Sequence, residues 1–138
     1  MADEHAFNVK VLTPEGEVFD GEVEQVSTRT AVGEIGIRAN HAPLVARLRP
    51  TELRLHVSDG DVKRFAQAEG WLEVFGNHAL VLVGEAVEPG DLDSADLKEQ
   101  ISSAEKRLSE AEEGSAAEKT AALEKDRYEA FLSVAEQA

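Results

Sequence analysis

Residues 33–44 read GEIGIRANHAPL, and the N-terminal part of the chain is built around these residues. Its two glycines, Gly33 and Gly36, bracket an apolar residue, which predicts a close approach of backbone where two strands meet. A tight corner should follow, because Pro43 fixes its own φ and Asn40 tolerates turn conformations. A rigid exposed corner between buried isoleucines is typical of a docking surface rather than of a catalytic site. The side chains it would present are Glu34, Arg38 and His41.

Apolar residues recur with period two from Phe7 to about Val83, as in strands that bury one face. The alternation is clearest over residues 52–57. Residues 58–61 read SDGD, a hairpin turn, so that strand should pair with residues 62–68. Many short strands separated by Gly, Pro and Asn turns predict an antiparallel β-sandwich or flattened barrel.

Two further details of the sheet follow from the same pattern. Asp20 and Gly21 form a turn signal that should end a short edge strand. Residues 71–75 and 79–83 predict a second hairpin, and the continuous apolar run 79–83 indicates a central strand covered on both faces. Trp71 and Phe75 are interpreted as core residues, with a stacking platform as the less favoured alternative.

The pattern changes after Glu85, where residues 87–91 read VEPGD and no strand periodicity returns. We therefore divide the chain into a β-sandwich, residues 1–87, and an antiparallel two-helix hairpin, residues 88–138, an α+β fold. The first helix should begin at Asp93 or Ser94 and run to about Glu113. Its apolar face would comprise Leu97, Ile101, Ala104, Leu108 and Ala111.

Gly114 should break the first helix, and Ser115 with Glu118 has the spacing of a capping box for a second one. The apolar side of that helix would comprise Leu123, Ala130, Phe131 and Val134. Large apolar side chains are few in the hairpin. The free energy gained by burying them therefore barely offsets the entropy cost of ordering the hairpin. We therefore expect a hairpin that depends on the sandwich or a partner and can change position.

The composition excludes several classes of protein. The 28 acidic and 14 basic residues give a net charge of −14, which repels nucleic acid and anionic lipid alike. There is no cysteine, so disulfides and thiolate metal sites are absent. The first five residues lack the basic start of a signal peptide, and no apolar run approaches bilayer length. We expect membrane association only through another protein.

No arrangement of residues points to catalysis. The four histidines show no metal-ligand spacing, and Gly33-x-x-Gly36 is neither a phosphate loop nor a dinucleotide fingerprint. His41 is the histidine in a context that suggests an interface, with a locally hydrogen-bonded turn histidine as the equal alternative. We expect no enzymatic activity, no metal and no cofactor in the chain alone.

Residues 33–44 also resemble the Gly-x-Ile-Gly-Ile-x-x-x-His-Ala-Pro-Leu signature of the epsilon subunit of bacterial and chloroplast F-type ATP synthases. Residues 70–83 are similar to the family's Gly-aromatic-x-Glu-Val segment and the apolar segment after it, and residues 132–136 fit its tail. The resemblance implies a sandwich followed by a helical hairpin, in the order derived above.

The resemblance also implies a function and a set of partners. The family's subunit belongs to the rotor, binds the gamma subunit and the membrane c-ring, and modulates ATP hydrolysis by the alpha and beta subunits. Its place is the cytoplasmic face of the bacterial cell membrane. The implied c-ring contacts are Gly33, Glu34, Ile35 and Arg38, and the implied gamma contacts are His41, Ala42 and Pro43.

In some relatives the hairpin binds ATP through an Ile/Leu-Asp-x-x-Arg-Ala motif. Here residues 92–97 read LDSADL, so Asp96 stands where the motif has arginine. Ser103 and Phe131 occupy other arginine positions, which leaves Arg127. A triphosphate facing Asp96 would be repelled, so we expect no high-affinity ATP site.

Inhibition by the hairpin should also be weak, because the family's extended helices use basic residues against an acidic segment of beta. Residues 93–138 hold 12 acidic and 6 basic residues, a net charge of −6. The candidate regulatory cations are Lys119, Lys125 and Arg127.

Two other functions stay open at this point. A stand-alone β-sandwich binding module with a helical oligomerisation arm would need an exposed aromatic groove. A small hydrolase using Glu73 or His41 would need a nucleophile or metal pattern that the sequence lacks.

Overall fold

The computed structural model describes residues 5–137 as ten strands followed by two helices, which confirms the predicted α+β architecture. A short 3₁₀ turn, Pro89–Asp91, joins the two parts. The strands are β1 (Phe7–Thr13), β2 (Gly16–Val23), β3 (Gln25–Thr30), β4 (Gly33–Arg38), β5 (Leu44–Leu48), β6 (Thr51–Ser58), β7 (Asp61–Gln67), β8 (Gly70–Phe75), β9 (His78–Val83) and β10 (Ala86–Val87). The helices are α1 (Ser94–Glu110) and α2 (Ala116–Glu136).

The strands form one strongly bent sheet in the order β10-β7-β6-β3-β5-β8-β9-β1-β2, with β4 added to β3. All pairings are antiparallel except that of β1 with β9. The sheet folds over a core of Val, Leu, Ile and Phe side chains that alternate with outward residues along each strand. Both predicted hairpins, β6 with β7 and β8 with β9, are confirmed.

Two predicted details of the strands are wrong. Asp20 and Gly21 form no turn, because β2 runs through both and pairs them with Lys10 and Val9 of β1. Strand β9 is central, but one of its faces is partly open to solvent: Leu82 is 38% exposed. A continuous apolar run therefore does not prove that both faces of a strand are buried, because outward-facing residues such as Leu82 can be apolar and exposed.

The two glycines of residues 33–44 play a different part from the predicted close approach. Gly33 has φ +134 and no atom near its missing Cβ, so it is required for its conformation. A Cβ on Gly36 would meet only the flexible side chain of Gln25, at 3.2 Å. The close backbone approach of this sheet is at Gly70, where an added Cβ would lie 1.9 Å from the Leu82 carbonyl oxygen.

The helical hairpin is capped as the sequence predicts. Asp93 accepts from the N–H groups of Ala95 and Asp96 at 3.0 and 3.2 Å. Ser115 accepts from the N–H of Glu118 at 3.1 Å, and Gly114 donates to the Glu118 carboxylate at 3.0 Å. Helix α1 ends at Glu110, three residues before the predicted end.

The buried side of α2 differs from the prediction at one residue. Phe131 and Val134 are buried as expected, and Ala121 is buried too, but Leu123 is 52% exposed. Leu123 lies one helical turn before Arg127, and Arg127 contacts Glu69 and Glu85 in the loops that follow β7 and β9. Ala121, two residues earlier, is buried instead, so the apolar side of α2 at this level is turned away from Leu123.

Candidate partner-binding surfaces

The residues predicted to form one corner are divided between two ends of the sandwich. Residues 33–38 are strand β4, paired along its whole length with β3, so Glu34 and Arg38 are four residues apart on an extended strand. That spacing is about 13 Å. Both side chains are exposed, but Arg38 lies near His41 and Glu34 does not. The prediction of a single corner is therefore wrong.

The β3–β4 turn presents an apolar tip at one end of the sandwich. Thr30 Oγ1 accepts from the Val32 N–H at 3.2 Å and donates to the Gly33 carbonyl at 2.9 Å. With Gly33 in a positive-φ conformation, these bonds fix the turn. Val32 is 98% exposed. Glu34 and Ile35, two of the implied c-ring contacts, follow directly on β4.

The loop before β5 carries the implied gamma contacts. Asn40 has φ +63, as its predicted turn role requires, and its N–H donates to the Asn77 side chain at 2.7 Å. This bond fastens the loop to the β8–β9 turn. His41 Nδ1 donates to the Ala42 carbonyl at 2.7 Å, and residues 41–43 are all exposed. The loop is ordered and accessible.

An exposed apolar face extends from this loop across β5, β8 and β9. Val45 is 68% exposed, Trp71 51% and Phe75 54%, so the prediction that the two aromatic residues belong to the core is wrong. Trp71 pairs with Leu82 across β8 and β9, and Val45 lies beside Glu73. We call Val45, Trp71, Phe75 and Leu82 the outer apolar face.

One charged side chain belongs to this face. Arg47 of β5 lies opposite Trp71, with its guanidinium carbon 5.9 Å from the centre of the indole ring. A cation at this distance is attracted to the ring face and helps to hold the indole in one orientation. The large aromatic residue of the outer apolar face is therefore presented in an ordered position.

The three candidate regulatory cations of the hairpin lie along α2 in different environments. Lys119 is exposed. Lys125 lies 3.9 Å from Glu105 of α1 and 3.8 Å from Glu129. Arg127 faces the sandwich, where it donates to both carboxylate oxygens of Glu69, one at 3.3 Å, and lies 4.0 Å from Glu85.

The hairpin packs against the outer side of β6 and β7. Phe131, Val134 and Leu97 cover Ala66 and Ala68, a cluster separate from the sandwich core. At its edge Asp126 accepts from Arg49 at 3.3 Å. We call the contacts of Arg127 with Glu69 and Glu85, and of Asp126 with Arg49, the docking ion pairs.

Burial and pairing act in opposite directions on the carboxylates near this contact. Burial alone would raise the pKa of Glu69, but the hydrogen bonds and charge of Arg127 outweigh it and hold that pKa below its ordinary value. The Glu69 hydrogen bond in turn raises the pKa of Arg127. Glu52, within the sandwich, behaves in the same way. Burial would raise its pKa, but the hydrogen bonds and charges of Arg64 and Arg54 outweigh burial and lower it.

Glu34 also faces the hairpin across an open cleft of about 410 Å³. Its lining includes Arg29 of β3 and Ser133 of α2. Strand β4, which carries the implied c-ring contacts, thus borders the same cleft as the C-terminal half of α2. Within residues 5–137 no helix is long and apolar enough to cross a membrane, and no three acidic or histidine side chains are grouped as metal ligands.

Sequence reasoning missed several residues of these surfaces. Val32 sits next to a turn glycine, and an apolar residue at a turn tip was an available signal. Val45 and Leu82 lie in strands where the periodicity distinguishes two faces but not which face a partner covers. Glu69 gave no signal, since its partner Arg127 is 58 residues away in the chain.

A family model described as the β-sandwich domain of the ATP synthase delta/epsilon chain matches residues 6–89. A relative from Dichelobacter nodosus called ATP synthase epsilon chain is 36% identical over 102 residues, 74% of this chain and 71% of the relative. The relative of the same name from Persephonella marina is 39% identical over 106 residues, 77% and 78% of the two chains. This chain belongs to the ATP synthase epsilon family. Recognition of the family from residues 33–44 is thereby confirmed.

Two solved structures share the fold of this epsilon-family chain. One is a chain of the Euglena gracilis mitochondrial ATP synthase with OSCP, F1 and c-ring, with a TM-score of 0.82, 18% identity and coverage of 96% of this chain and 83% of that one. The other is a chain of the Tetrahymena thermophila mitochondrial ATP synthase central stalk and c-ring, with a TM-score of 0.59, 18% identity and coverage of 93% and 95%. The first match includes both the sandwich and the hairpin, since it covers nearly the whole chain.

Proposed function

We propose that this epsilon-family chain is a non-catalytic rotor subunit of a bacterial F-type ATP synthase. Its sandwich would link the gamma subunit to the c-ring, and its hairpin would modulate ATP hydrolysis by the alpha and beta subunits. It would lie on the cytoplasmic face of the cell membrane, attached through the complex. The observation that carries the proposal is the outer apolar face on a chain whose net charge is −14.

The outer apolar face supports contact with another protein. Contiguous exposed apolar surface that includes a tryptophan is typical of interfaces, where aromatic residues supply much of the binding free energy. The loop of residues 41–43 adjoins this face, because Asn40 is bonded to the turn that follows Phe75. Since the family resemblance assigns that loop to gamma, we assign the outer apolar face to gamma as well.

The β3–β4 turn supports a second contact. It adjoins the Trp71 end of the outer apolar face, because the Ala31 N–H of the turn donates to the carbonyl of Arg47, opposite Trp71, at 3.0 Å. A rotor subunit must receive force at one place and deliver it at another. Val32 and the gamma-side loop lie at opposite ends of β4, which is about 16 Å long. Strand β4 is hydrogen-bonded to β3 over six residue pairs, so the turn cannot swing independently of the sheet. We therefore assign the turn, with Val32 and Glu34, to the c-ring.

The separate cluster under the hairpin supports a modulatory role for α1 and α2. The side chains that the hairpin covers on the sheet, Ala66 and Ala68, are not part of the sandwich core. Undocking would therefore leave that core intact. A unit that can leave without unfolding its neighbour is suited to a conformational change.

Co-purification with the gamma subunit of the same organism tests the assignment to gamma. We expect Val45→Glu and Trp71→Glu each to weaken binding by about 30-fold or more, as for the central residues of an interface. Val62→Glu is the matched control, because Val62 is exposed on β7, outside the outer apolar face. Retention of full affinity by both variants would overturn the assignment. Self-association of the wild-type chain without gamma binding would favour a stand-alone binding module.

A further inference from the structure

We propose that the docking ion pairs set how readily the hairpin leaves the sandwich, acting together with the apolar contact beneath it. Arg127 and Glu69 would be the principal pair. The proposal deepens the regulatory part of the proposed function and rests on it for its consequence in the synthase. The docking equilibrium itself is a property of this chain alone.

The apolar contact is one-sided. Phe131 and Val134 are large, whereas the sheet offers them Ala66, Ala68 and the partly buried Val87 of β10. Alanine has little apolar surface to remove from water, so the sheet side gains little from being covered. It also loses little on being uncovered. The contact is suited to reversible docking. Polar groups therefore contribute a large share of the free-energy difference between the docked and the undocked hairpin.

The net charges of the sandwich and the hairpin make the polar contribution important. Residues 1–92 hold 16 acidic and 8 basic residues, a net charge of −8, and residues 93–138 have a net charge of −6. Two negatively charged parts repel one another when they are brought together. The docking ion pairs are places where opposite charges of the two parts meet. Without them, the remaining charges favour separation.

The main chain that carries the acceptors for Arg127 is held by the sandwich. Glu69 and Glu85 lie in two chain connections that are hydrogen-bonded to each other, from Ala68 N–H to the Glu85 carbonyl at 2.9 Å and from Gly84 N–H to the Glu69 carbonyl at 3.2 Å. Arg127 uses Nε and Nη2 on the two oxygens of Glu69, a fork geometry that is among the strongest ion pairs in proteins. Little entropy is lost on the sandwich side.

The second pair is also positioned by the sandwich. The carbonyl of Arg49 accepts from the buried Gln67 side chain at 2.9 Å, and its N–H donates to the Arg29 carbonyl at 2.9 Å. Arg49 and Asp126 are about half exposed, at 54% and 44% of their side-chain surface, so water weakens their attraction. We therefore assign the larger effect to Arg127.

Other ion pairs of the hairpin do not face the sandwich. Arg107 of α1 contacts Glu124 of α2, and Lys125 contacts Glu105. These pairs join the helices to each other and would persist when the hairpin undocks as a unit. They provide a matched control, since the same change of charge can be made at a pair that does not hold the hairpin down.

The test measures how often the hairpin leaves the sheet. The chain contains no cysteine, so Ala66→Cys places a single thiol beneath the hairpin, at a site that is fully buried when docked. Its labelling rate by a thiol reagent reports opening. In this background we expect Arg127→Gln and Glu69→Gln each to raise the rate about tenfold, equivalent to about 1.4 kcal/mol. The double variant should be no faster than either one, because one interaction is lost.

Arg107→Gln in the same background should leave the rate unchanged. A thiol at Ala104→Cys, buried in α1, should be labelled equally slowly in all variants if the helices stay together. Unchanged labelling at position 66 in Arg127→Gln and Glu69→Gln would overturn the proposal, as would an equal effect of Arg107→Gln. Circular dichroism checks that the sandwich remains folded, and Glu69→Gln provides a second variant if Arg127→Gln does not fold. The assay needs no gamma subunit, so its outcome is distinct from that of the gamma-binding test.

Discussion

Gly70 and Leu82 approach so closely that a Cβ added to Gly70 would lie 1.9 Å from the Leu82 carbonyl oxygen and 2.8 Å from its carbon. The obstructing atoms are backbone of the neighbouring strand β9, which cannot move aside without disturbing the sheet. Residue 70 must therefore be glycine for β8 and β9 to pair in this register.

Gly70→Ala should consequently destabilise the sandwich by about 3 kcal/mol or more, the upper range for overpacking a core. Chemical denaturation measures the change. Gly90→Ala is the matched control, because no atom lies within 4 Å of the added Cβ and its φ is not positive. We expect that variant to stay within about 0.5 kcal/mol of the wild type. Equal stability of both variants would contradict the close approach.

The contribution of Glu69 to hairpin docking should be lost at acidic pH. The pKa of Glu69 is lowered from 4.5 in the docked state, so its contribution is complete above that value and is lost as the pH falls below 4.5 through the docked-state pKa. Arg127 faces Glu69 from α2 and stays charged throughout this range, so the loss follows the protonation of Glu69.

Spin labels at Ser58→Cys and Ser102→Cys, exposed sites on the sandwich and on α1, measure this transition as a change in distance. Adding Glu69→Gln should increase the undocked fraction at neutral pH and reduce the pH dependence. A docked fraction that is constant from about pH 6 to the acid unfolding of the sandwich would contradict the prediction.

MgATP should not bind the isolated chain in the micromolar range. Asp96 is exposed in the first turn of α1, at the position where the family's nucleotide motif has arginine. Arg127 is already engaged by Glu69, so a phosphate would have to displace a carboxylate that is fixed in place. Isothermal titration calorimetry decides the point. A micromolar dissociation constant would show that this account of the hairpin is wrong.

Removal of residues 88–138 should raise ATP hydrolysis by the assembled complex only slightly, by less than about fivefold, the lower end of ordinary allosteric coupling. The reason is the charge of the hairpin: residues 93–138 carry a net charge of −6. Lys125 and Arg127 are moreover paired within the docked chain. Steady-state hydrolysis by complexes with the full and the shortened subunit measures the ratio, and a much larger increase would mean strong inhibition.

The sequence predicted the elements that depend on local patterns. The hairpin of β6 and β7 follows from residues 58–61, and the caps of α1 and α2 follow from Asp93 and Ser115, because turns and caps involve neighbours in the chain. The family followed from residues 33–44. These features need no knowledge of distant contacts.

Surfaces and long-range contacts could not be predicted in this way. From the sequence, the outward-facing Trp71 cannot be distinguished from a core residue. Periodicity separates the two faces of a strand, but it does not show which face packs on the core. The pair of Glu69 and Arg127 depends on how the hairpin lies on the sheet. The role of Gly70 depends on the register of β8 against β9, which no single strand reveals.

If the sandwich contacts gamma through the outer apolar face and the c-ring through the β3–β4 turn, site-directed cross-linking in the assembled synthase will distinguish the two contacts. Because the chain has no cysteine, a photoactivatable group can be attached at Val32→Cys, Val45→Cys or Ser58→Cys alone. We predict that position 32 labels a c-ring subunit and position 45 labels gamma. Ser58, at the other end of β6 from the β3–β4 turn, should not label the c-ring. Labelling of the c-ring from position 58 but not from position 32 would contradict the account.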